Sequence, residues 1–357
     1  RLILAAHGSV KWILLALMTI AAMFSMWVEN TATAAMLIPV ALMLTANVVD
    51  KRLSERLRVL FVLGVAYGSS LGGMITVIGS ASNAVAFSFI QEVQQMTFLD
   101  WIRMGLPAFC VIFPVTWWVL LKLFPVSSSK LNLDLVDREY RKLGSLHPPE
   151  RDTIGTLCAA IFFWMFGSWF ENILGLPPTV LSPTVIAIAA VSFLTIRQVI
   201  NWEDVKGVSW GFLFIIGAGL SLGETLVRTG LTTWLIQLFG PLLSVPSSWL
   251  TITLFSYISA FLTNLINNAT VVAIFIPIVL NLSNSISLTL GLPLAFAIAL
   301  ATTFGYSLPS ASGRMAIISA SNLISDREML KCGLLVTLIS TLLLAGFIYV
   351  AGIVHWI

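Results

Sequence analysis

One segment of this chain occurs twice. Residues 29–39 read ENTATAAMLIP, and residues 267–277 read NNATVVAIFIP. In both copies an asparagine lies nine residues before a proline, inside a stretch apolar enough to lie in lipid. Each copy is followed by a second polar interruption, GSASN at residues 79–83 and SASGR at residues 310–314. Because paired broken hydrophobic segments in the two halves of one chain are typical of secondary transporters with a site at the bilayer midplane, the sequence predicts such a site.

The amino-acid composition indicates that the chain folds in a lipid bilayer. Hydrophobic residues make up 58% and charged residues 10% of the 357 residues, against about 25% charged residues in soluble domains. The chain is therefore predicted to be an integral membrane protein, and glycines and prolines at the ends of its apolar stretches favour helices over a β-barrel. A net charge of +3 is too small to indicate a nucleic-acid partner. Because no Ser-His, Cys-His or His-Glu spacing occurs in an apolar stretch, and Cys110, Cys158 and Cys332 lack metal-ligand spacing, neither an enzyme nor a cofactor is predicted.

Basic residues are distributed unevenly among the loops. They gather at residues 51–58 and in the loop 127–152, and they are absent from the turns at 172–182, 241–250 and 283–292. By the positive-inside rule, the first group faces the cytoplasm, so the chain is predicted to cross the cell membrane several times with the loop 127–152 in the cytoplasm. The charged stretch at 51–58 is predicted to be a helix on the membrane surface. Apolar helices are predicted near residues 12–28, 58–78, 104–124, 153–174, 179–196, 208–227, 249–264, 292–309 and 333–354.

The chain is predicted to be an all-α polytopic membrane protein built from two inverted-topology repeats, each with a re-entrant helical hairpin and a broken transmembrane helix. The stretches 29–48 and 265–282 are short for a membrane crossing once their polar heads are discounted, so each forms a hairpin with the preceding helix. Residues 1–126 are the first repeat, 127–152 the cytoplasmic linker and 153–357 the second repeat. The second hairpin is preceded by apolar residues without a counterpart in the first half. The first repeat is therefore expected to lack its initial helices, as in an N-terminally truncated chain.

Four stretches, taken in order, match the pattern of one transporter family. They are residues 25–33 (SMWVENTAT), 67–83, 201–223 and 261–269 (FLTNLINNA). The first and last resemble the two Ser-Asn-Thr hairpins of the divalent anion:sodium symporters, a family within the ion transporter superfamily that carries succinate, citrate and sulfate. The second resembles that family's Gly-Gly-rich broken helix, and the third the stretch entering its ninth helix. The resemblance implies secondary active, sodium-coupled anion transport by an elevator movement of a core domain against a dimeric scaffold.

The resemblance also implies which residues bind the ions. A hard cation prefers oxygen ligands, which a broken helix provides as free carbonyls, whereas helix N-termini suit an anion. One sodium ion is implied at Ser25, Glu29, Asn30 and Gly79, and a second at Thr263, Ile266, Asn268 and Ala311. The implied substrate contacts are Asn30, Thr31, Asn268, Ala269 and Ser312; Asn267 and Arg314 are further predicted substrate-binding residues.

The chain departs from the family pattern in ways that bring two charges into the predicted site. Glu29 stands where the family has serine, Ala269 stands where it has threonine, and residues 80–82 and 312–314 replace its Thr-Pro-Pro elements. A charge costs roughly 2.5 to 3.5 kcal/mol at the centre of a membrane helix, so a function is expected for Glu29 and Arg314. Three interpretations remain open. The two residues form a buried ion pair, or Arg314 clamps the anion while Glu29 joins the cation site, or Glu29 titrates and couples transport to protons.

The cargo and the coupling ion remain open at this point. Arg314 suits a carboxylate, a sulfate or a phosphate about equally well, and protons are an alternative to sodium. Another member of the ion transporter superfamily, a membrane receptor and a channel are the remaining functional alternatives. The partners predicted are a small anionic substrate, membrane lipid and a second copy of the chain.

Overall fold

A computed structural model describes most of the chain. The described residues are 1–46, 48–126, 130–175, 177, 180–207, 214, 217, 221, 225, 228–231, 234, 247–286, 288–321, 324–354 and 356, without the side chains of 281–289. The helix predicted near 208–227 and the basic-free turn at 241–250 lie largely outside these residues, as does the second half of the stretch 201–223.

The described residues form helices and no β-strand, which confirms the predicted all-α polytopic class. Three of these helices, 26 to 28 residues long, are long and apolar enough to cross a membrane. The helices are α1 (Leu2–Ala5), α2 (Val10–Ser25), α3 (Asn30–Met43), α4 (Lys51–Gly73), α5 (Ala81–Val93), α6 (Phe98–Leu123), α7 (Asp134–Lys142), α8 (Pro148–Leu174), α9 (Pro183–Ile196), α10 (Trp202–Lys206), α11 (Ser248–Leu262), α12 (Asn268–Ile286), α13 (Leu288–Ala301), α14 (Gly313–Ala320) and α15 (Asp326–Ile353). The three long apolar helices are α6, α8 and α15.

One order of elements occurs twice. In the first half, α2 and α3 form a hairpin with its tip at residues 26–29, and α4 is separated from α5 by a break at residues 74–80. In the second half, α11 and α12 form a hairpin with its tip at residues 263–267, and α13 is separated from α14 by a break at residues 302–312. A long apolar helix, α6 or α15, follows each broken helix. The inverted orientation of the two copies and the boundaries of the repeats stay predictions.

Three of the four hairpin arms are short in the way that re-entrant helices are short, the fourth being the 19-residue α12. Helices α2, α3 and α11 contain 16, 14 and 15 residues. At a rise of about 1.5 Å per residue none of them reaches the ~30 Å of a bilayer's hydrocarbon core. Their lengths therefore support the re-entrant hairpins, with each tip inside the membrane.

Two details of the predicted spans were wrong. Residues 51–58 are not a separate surface helix, because they are the first two turns of α4, which continues to Gly73. The span predicted near 292–309 is interrupted, since α13 ends at Ala301 and two short 3-10 turns follow it, Thr302–Phe304 and Pro309–Ala311. Within the stretch 127–152, α7 and the start of α8 are helical, and the bounds of the linker stay a prediction.

The described chain forms two compact units. The first comprises Arg1–Met96, Asp100–Val136 and Phe214–Ile357, and it contains both hairpins and both breaks. In it, the helix after each break packs on the opposite hairpin, because α14 contacts α3 and α5 contacts α12. The second unit comprises Thr97–Leu99 and Asp137–Leu213, and in it α8 packs against α9.

Glycines on α4 allow close contact with α2. A Cβ at Gly72 would lie 2.2 Å from the carbonyl oxygen of Ala22 and 2.4 Å from its Cα, and one at Gly68 would lie 2.6 Å from the carbonyl oxygen of Met18. Small residues in such positions let membrane helices approach backbone to backbone. The Gly72-Gly73 pair therefore serves close packing at Gly72, and Gly73 contacts the functional site described below.

Replacing Gly72 with alanine is expected to destabilise the fold by about 1 to 3 kcal/mol or more, because backbone atoms of α2 cannot move aside as a flexible side chain can. The midpoint of thermal unfolding in detergent, followed by tryptophan fluorescence, should fall. Gly155→Ala is the matched control, since nothing lies within 4 Å of its Cβ position in α8 and alanine favours a helix. Equal midpoints for Gly72→Ala and wild type would contradict the packing argument.

Candidate functional site

The tip of the first hairpin, α4 and the first break meet at Asn30. This side chain is 4% exposed. Its amide end lies 2.5 Å from the hydroxyl of Ser25 and 3.1 Å from the carbonyl oxygens of Ser69 and Gly79. A Cβ at Gly73 would lie 2.1 Å from this same end of the Asn30 side chain, so the end of α4 leaves room for the amide only because residue 73 is glycine. Three of the four residues implied for the first sodium ion are thus brought together, and Ser69 joins them.

Glu29, the fourth residue of that set, caps the N-terminus of α3. Its carboxylate accepts hydrogen bonds from the backbone N–H of Thr31 at 2.7 Å, from that of Ala32 at 3.2 Å and from the Thr31 hydroxyl at 3.1 Å. A carboxylate in this position satisfies free amides and interacts favourably with the helix dipole. The structure thus gives Glu29 a local structural role, and its role as a sodium ligand stays a prediction.

The first break is held by a buried amide that sequence reasoning did not assign to the site. Asn83 is fully buried, and its amide nitrogen donates to the carbonyl oxygens of Gly73 and Thr76, both at 2.8 Å. The Thr76 hydroxyl donates to the carbonyl of Met26 and accepts from the Gly79 N–H at 3.1 Å. These bonds connect the break to the hairpin tip. In the sequence, Asn83 could have been recognised as a polar residue inside an otherwise apolar stretch.

The second hairpin and the second break are connected by a similar cluster. The hydroxyl of Thr263 contacts Asn268 Oδ1 and the carbonyl oxygen of Thr302, the latter at 3.1 Å. The carbonyl oxygens of Thr263 and Ala311 each lie 3.4 Å from the Cβ position of Gly305. Thr263, Asn268 and Ala311, three residues of the second sodium set, are therefore gathered around this break.

Two further amides define the tip of the second hairpin. Asn264 is 6% exposed, and its side-chain oxygen accepts from the backbone N–H of Ser307 at 2.8 Å, which ties the tip to the second break. Asn267 is exposed, and its side-chain oxygen accepts from the backbone N–H of Ala269 at 2.9 Å. Asn267 thus occupies the capping position that Glu29 occupies in the first hairpin. Ile266, the fourth residue of the second sodium set, lies on the same tip and is 39% exposed.

Arg314 is buried in the first turn of α14, where it is 2% exposed. Its Nη2 donates to the carbonyl oxygens of Thr303 at 3.2 Å and Gly305 at 3.5 Å. Its guanidinium carbon lies 6.0 Å from the centre of the Tyr306 ring. In the described part of the chain, Arg314 Nε and the Ser312 hydroxyl are buried without a hydrogen-bond partner.

The buried ion pair that one interpretation predicted between Glu29 and Arg314 is not present. No carboxylate oxygen of Glu29 lies within 4.0 Å of an Arg314 nitrogen. The guanidinium instead donates to carbonyl oxygens that are free at the second break. Its Nε makes no hydrogen bond among the described residues. A buried charge without a carboxylate partner remains a candidate for binding an anion.

The N-termini of α3 and α14 meet across the two halves of the chain. A Cβ at Gly313 would lie 2.7 Å from both the Oγ1 and the Cγ2 of Thr31, so the first residue of α14 is in contact with the first turn of α3. The positive ends of both helix dipoles are thus directed to the same place, with the first amides of α14 uncapped by a side chain and those of Thr31 and Ala32 capped by Glu29. Thr31, Ser312 and Arg314, three of the predicted substrate-binding residues, lie at this junction.

Helical hairpins, broken helices and buried amides of this kind define a multi-pass membrane transporter. The family model described as citrate transporter (CitMHS) matches residues 1–301, and the chain belongs to this family. Arg314 and Ser312 lie beyond the matched residues. The family is one of transporters and not of enzymes, as the sequence predicted.

Individual relatives extend over almost the whole chain. An uncharacterised transporter of Haemophilus influenzae is 27% identical, over 98% of this chain and 75% of its own length. An uncharacterised transporter of Methanocaldococcus jannaschii is 29% identical, over 91% of this chain and 70% of its own length. The sodium-dependent dicarboxylate transporter SdcS of Staphylococcus saprophyticus is 24% identical, over 98% of this chain and 71% of its own length. These matches confirm the resemblance to the divalent anion:sodium symporters.

Proposed function

We propose that this protein is a sodium-coupled secondary active transporter of divalent anions, with di- and tricarboxylates as the first candidates and sulfate as the inorganic one. The observation that carries the proposal is the junction of α3 and α14. There, the N-termini of α3 and α14 meet, and the N-terminus of α14 carries Ser312 and Arg314, whose hydroxyl and Nε are buried without a partner among the described residues. Such donors suit an oxyanion.

The proposed coupling to sodium is supported by two clusters of oxygen atoms. Around Asn30 the oxygens of Ser25, Ser69 and Gly79 converge within 3.1 Å of its amide end. Carbonyl and hydroxyl oxygens are the ligands that hard cations prefer, and irregular backbone inside a membrane usually lines a site of this kind. We assign the first sodium ion to this cluster. A second sodium ion is assigned to the oxygens of Thr263, Asn268 and Ala311. We add Glu29 to the first set of ligands and Ile266 to the second.

The anion half includes the amides of both hairpins. Asn30 and Asn268 each carry a donor and an acceptor, so either can contact an ion of either sign. Thr31 and the exposed Asn267 extend the polar surface at the two tips. The assignment of Arg314 as the main anion contact follows from its planar fork of donors, which matches the geometry of a carboxylate.

The relatives support the cargo and the coupling ion. SdcS of Staphylococcus saprophyticus is named a sodium-dependent dicarboxylate transporter, and the matched family is named for citrate. By the same resemblance we propose a homodimer in the cell membrane, with the loop 127–152 in the cytoplasm and with an elevator movement of the hairpins against a scaffold. A sodium gradient would supply the free energy for that movement.

Uptake of radiolabelled succinate into proteoliposomes tests the proposed function. Vesicles would be given an inward sodium gradient, an inward proton gradient or neither, with excess unlabelled citrate, sulfate or phosphate as competitor. We expect saturable uptake that requires sodium and that citrate inhibits. Uptake driven by protons alone would replace sodium coupling by proton coupling. The absence of both uptake and competition would contradict the carboxylate cargo.

A further inference from the structure

A basic cleft lies in the first unit, apart from the two hairpin tips. Its volume is about 640 Å³, and it is formed by the start of α4, the chain just after α6 and the first turn of α15. Three of its lining side chains are arginines on two successive turns of α4. The lining residues are Arg52, Glu55, Arg56, Arg58, Val59, Phe124 and Glu328.

The arginines of this cleft are not neutralised by the acidic residues near them. Among the described residues, no carboxylate oxygen lies within 4.0 Å of a nitrogen of Arg52, Arg56 or Arg58. Two of the nearby acids, Asp50 and Glu328, are used for capping instead. Asp50 accepts from two backbone N–H groups at the start of α4, and Glu328 accepts from the Ser325 hydroxyl at 2.7 Å. The guanidinium groups are therefore available to a ligand.

The side chains that line the cleft carry a small net positive charge. Three arginines and two glutamates leave one excess positive charge in the cleft. Basic side chains continue on the same helices, since Lys51 begins α4 and both Arg327 and Lys331 lie in the first two turns of α15, all three exposed. A ligand with one negative charge and several acceptor oxygens complements this surface.

Aromatic residues at the same end of α6 mark the membrane interface. The ring centres of Trp12 and Trp117 lie 6.2 Å apart, and Trp12 is 50% exposed. Trp118 is 55% exposed, with the Lys122 ammonium 5.6 Å from its ring centre. Tryptophan and lysine in this arrangement are typical of the headgroup level of a bilayer. The cleft contains Phe124, two residues beyond Lys122, so it lies at the level where lipid headgroups are found.

We propose that this cleft binds the headgroup of an anionic phospholipid. The phosphodiester accepts hydrogen bonds from the guanidinium groups of α4, since arginine forms paired, charge-assisted bonds to phosphate oxygens. The acyl chains follow the apolar surface beyond Val59 and Phe124 into the bilayer. Basic pockets between membrane helices commonly take such headgroups. A lipid bound here connects α4, whose far end contacts Asn30, to α15.

Native mass spectrometry of the purified protein tests this inference. The protein would be titrated with phosphatidylglycerol and with phosphatidylcholine of identical acyl chains, at low and high salt. We expect wild type to prefer phosphatidylglycerol and to lose the preference at high salt. In the variant Arg52→Gln/Arg56→Gln/Arg58→Gln the affinity for phosphatidylglycerol should fall on the order of 100-fold, about fivefold for each basic residue.

The triple variant Arg138→Gln/Arg141→Gln/Lys142→Gln is the matched control, because it removes the same charge from exposed positions of α7. It should bind phosphatidylglycerol like wild type. Equal binding of both lipids by wild type would overturn the proposal without any variant. Tight binding of soluble glycerol phosphate, lost in the Arg52→Gln/Arg56→Gln/Arg58→Gln variant and with no preference for the intact lipid, would show that the cleft binds a soluble anion instead.

Discussion

Replacing Arg314 with glutamine is expected to weaken substrate binding by 10-fold to about 100-fold, the range expected when a charge-assisted hydrogen bond is lost. Arg314 is 2% exposed, and its Nε and the Ser312 hydroxyl are both buried without a hydrogen-bond partner among the described residues. The glutamine keeps a donor for the carbonyl oxygen of Thr303 but removes the charge. The measurement is the concentration of succinate at half-maximal uptake, at saturating sodium.

Two further variants separate a binding role from a structural one. Arg314→Lys keeps the charge without the planar fork, so it should restore part of the affinity. Ser312→Ala removes the other unpartnered donor without exposing a buried charge, and it should weaken binding less. Arg103→Gln is the control, since Arg103 is exposed and paired with Asp100 on α6. An unchanged half-saturating concentration for folded Arg314→Gln would rule out the anion contact.

Replacing Asn30 with alanine is expected to raise the sodium concentration needed for half-maximal uptake by about 10-fold to 100-fold, as when support for a bound metal ion is lost. The substitution removes the amide on which the oxygens of Ser25, Ser69 and Gly79 converge. Uptake would be measured over a series of sodium concentrations at constant ionic strength. Thermal unfolding with and without sodium reports the ion's binding independently of transport, because a bound ion raises the midpoint.

Asn132→Ala is the matched control for this prediction. Asn132 is an exposed amide that accepts from the Asp134 backbone N–H at 2.7 Å, remote in sequence from both hairpins. Its removal should leave the sodium dependence of uptake and of the unfolding midpoint unchanged. An Asn30→Ala protein with the sodium response of wild type would place the first cation elsewhere.

The local chemistry of the membrane segments could be predicted from the sequence. An asparagine nine residues before a proline, repeated at Asn30 and Asn268, located both hairpins, and the breaks at 74–80 and 302–312 lie at or close to the polar interruptions. These features are local, since the cost of placing polar groups in hydrocarbon acts on each segment separately. For the same reason the composition alone predicted an all-α membrane protein.

The partners of the site residues could not be predicted in this way. Ser69 lies among apolar residues of α4 and carries no signal, yet its carbonyl oxygen meets Asn30. Gly313 meets Thr31 although they are far apart in the sequence. One of the three open interpretations paired Glu29 with Arg314, but hydrogen bonds to nearby backbone hold each of them.

The sequence by itself thus determined the fold class, the positions of the hairpins and breaks, and the types of side chain at the tips. Only the tertiary structure decided which oxygens surround Asn30, and that the first residue of α14 contacts Thr31 at the start of α3. The physical reason is the range of the interactions. Helix formation and burial in lipid depend on neighbours within a few turns, whereas an ion site needs ligands from segments that only packing brings together.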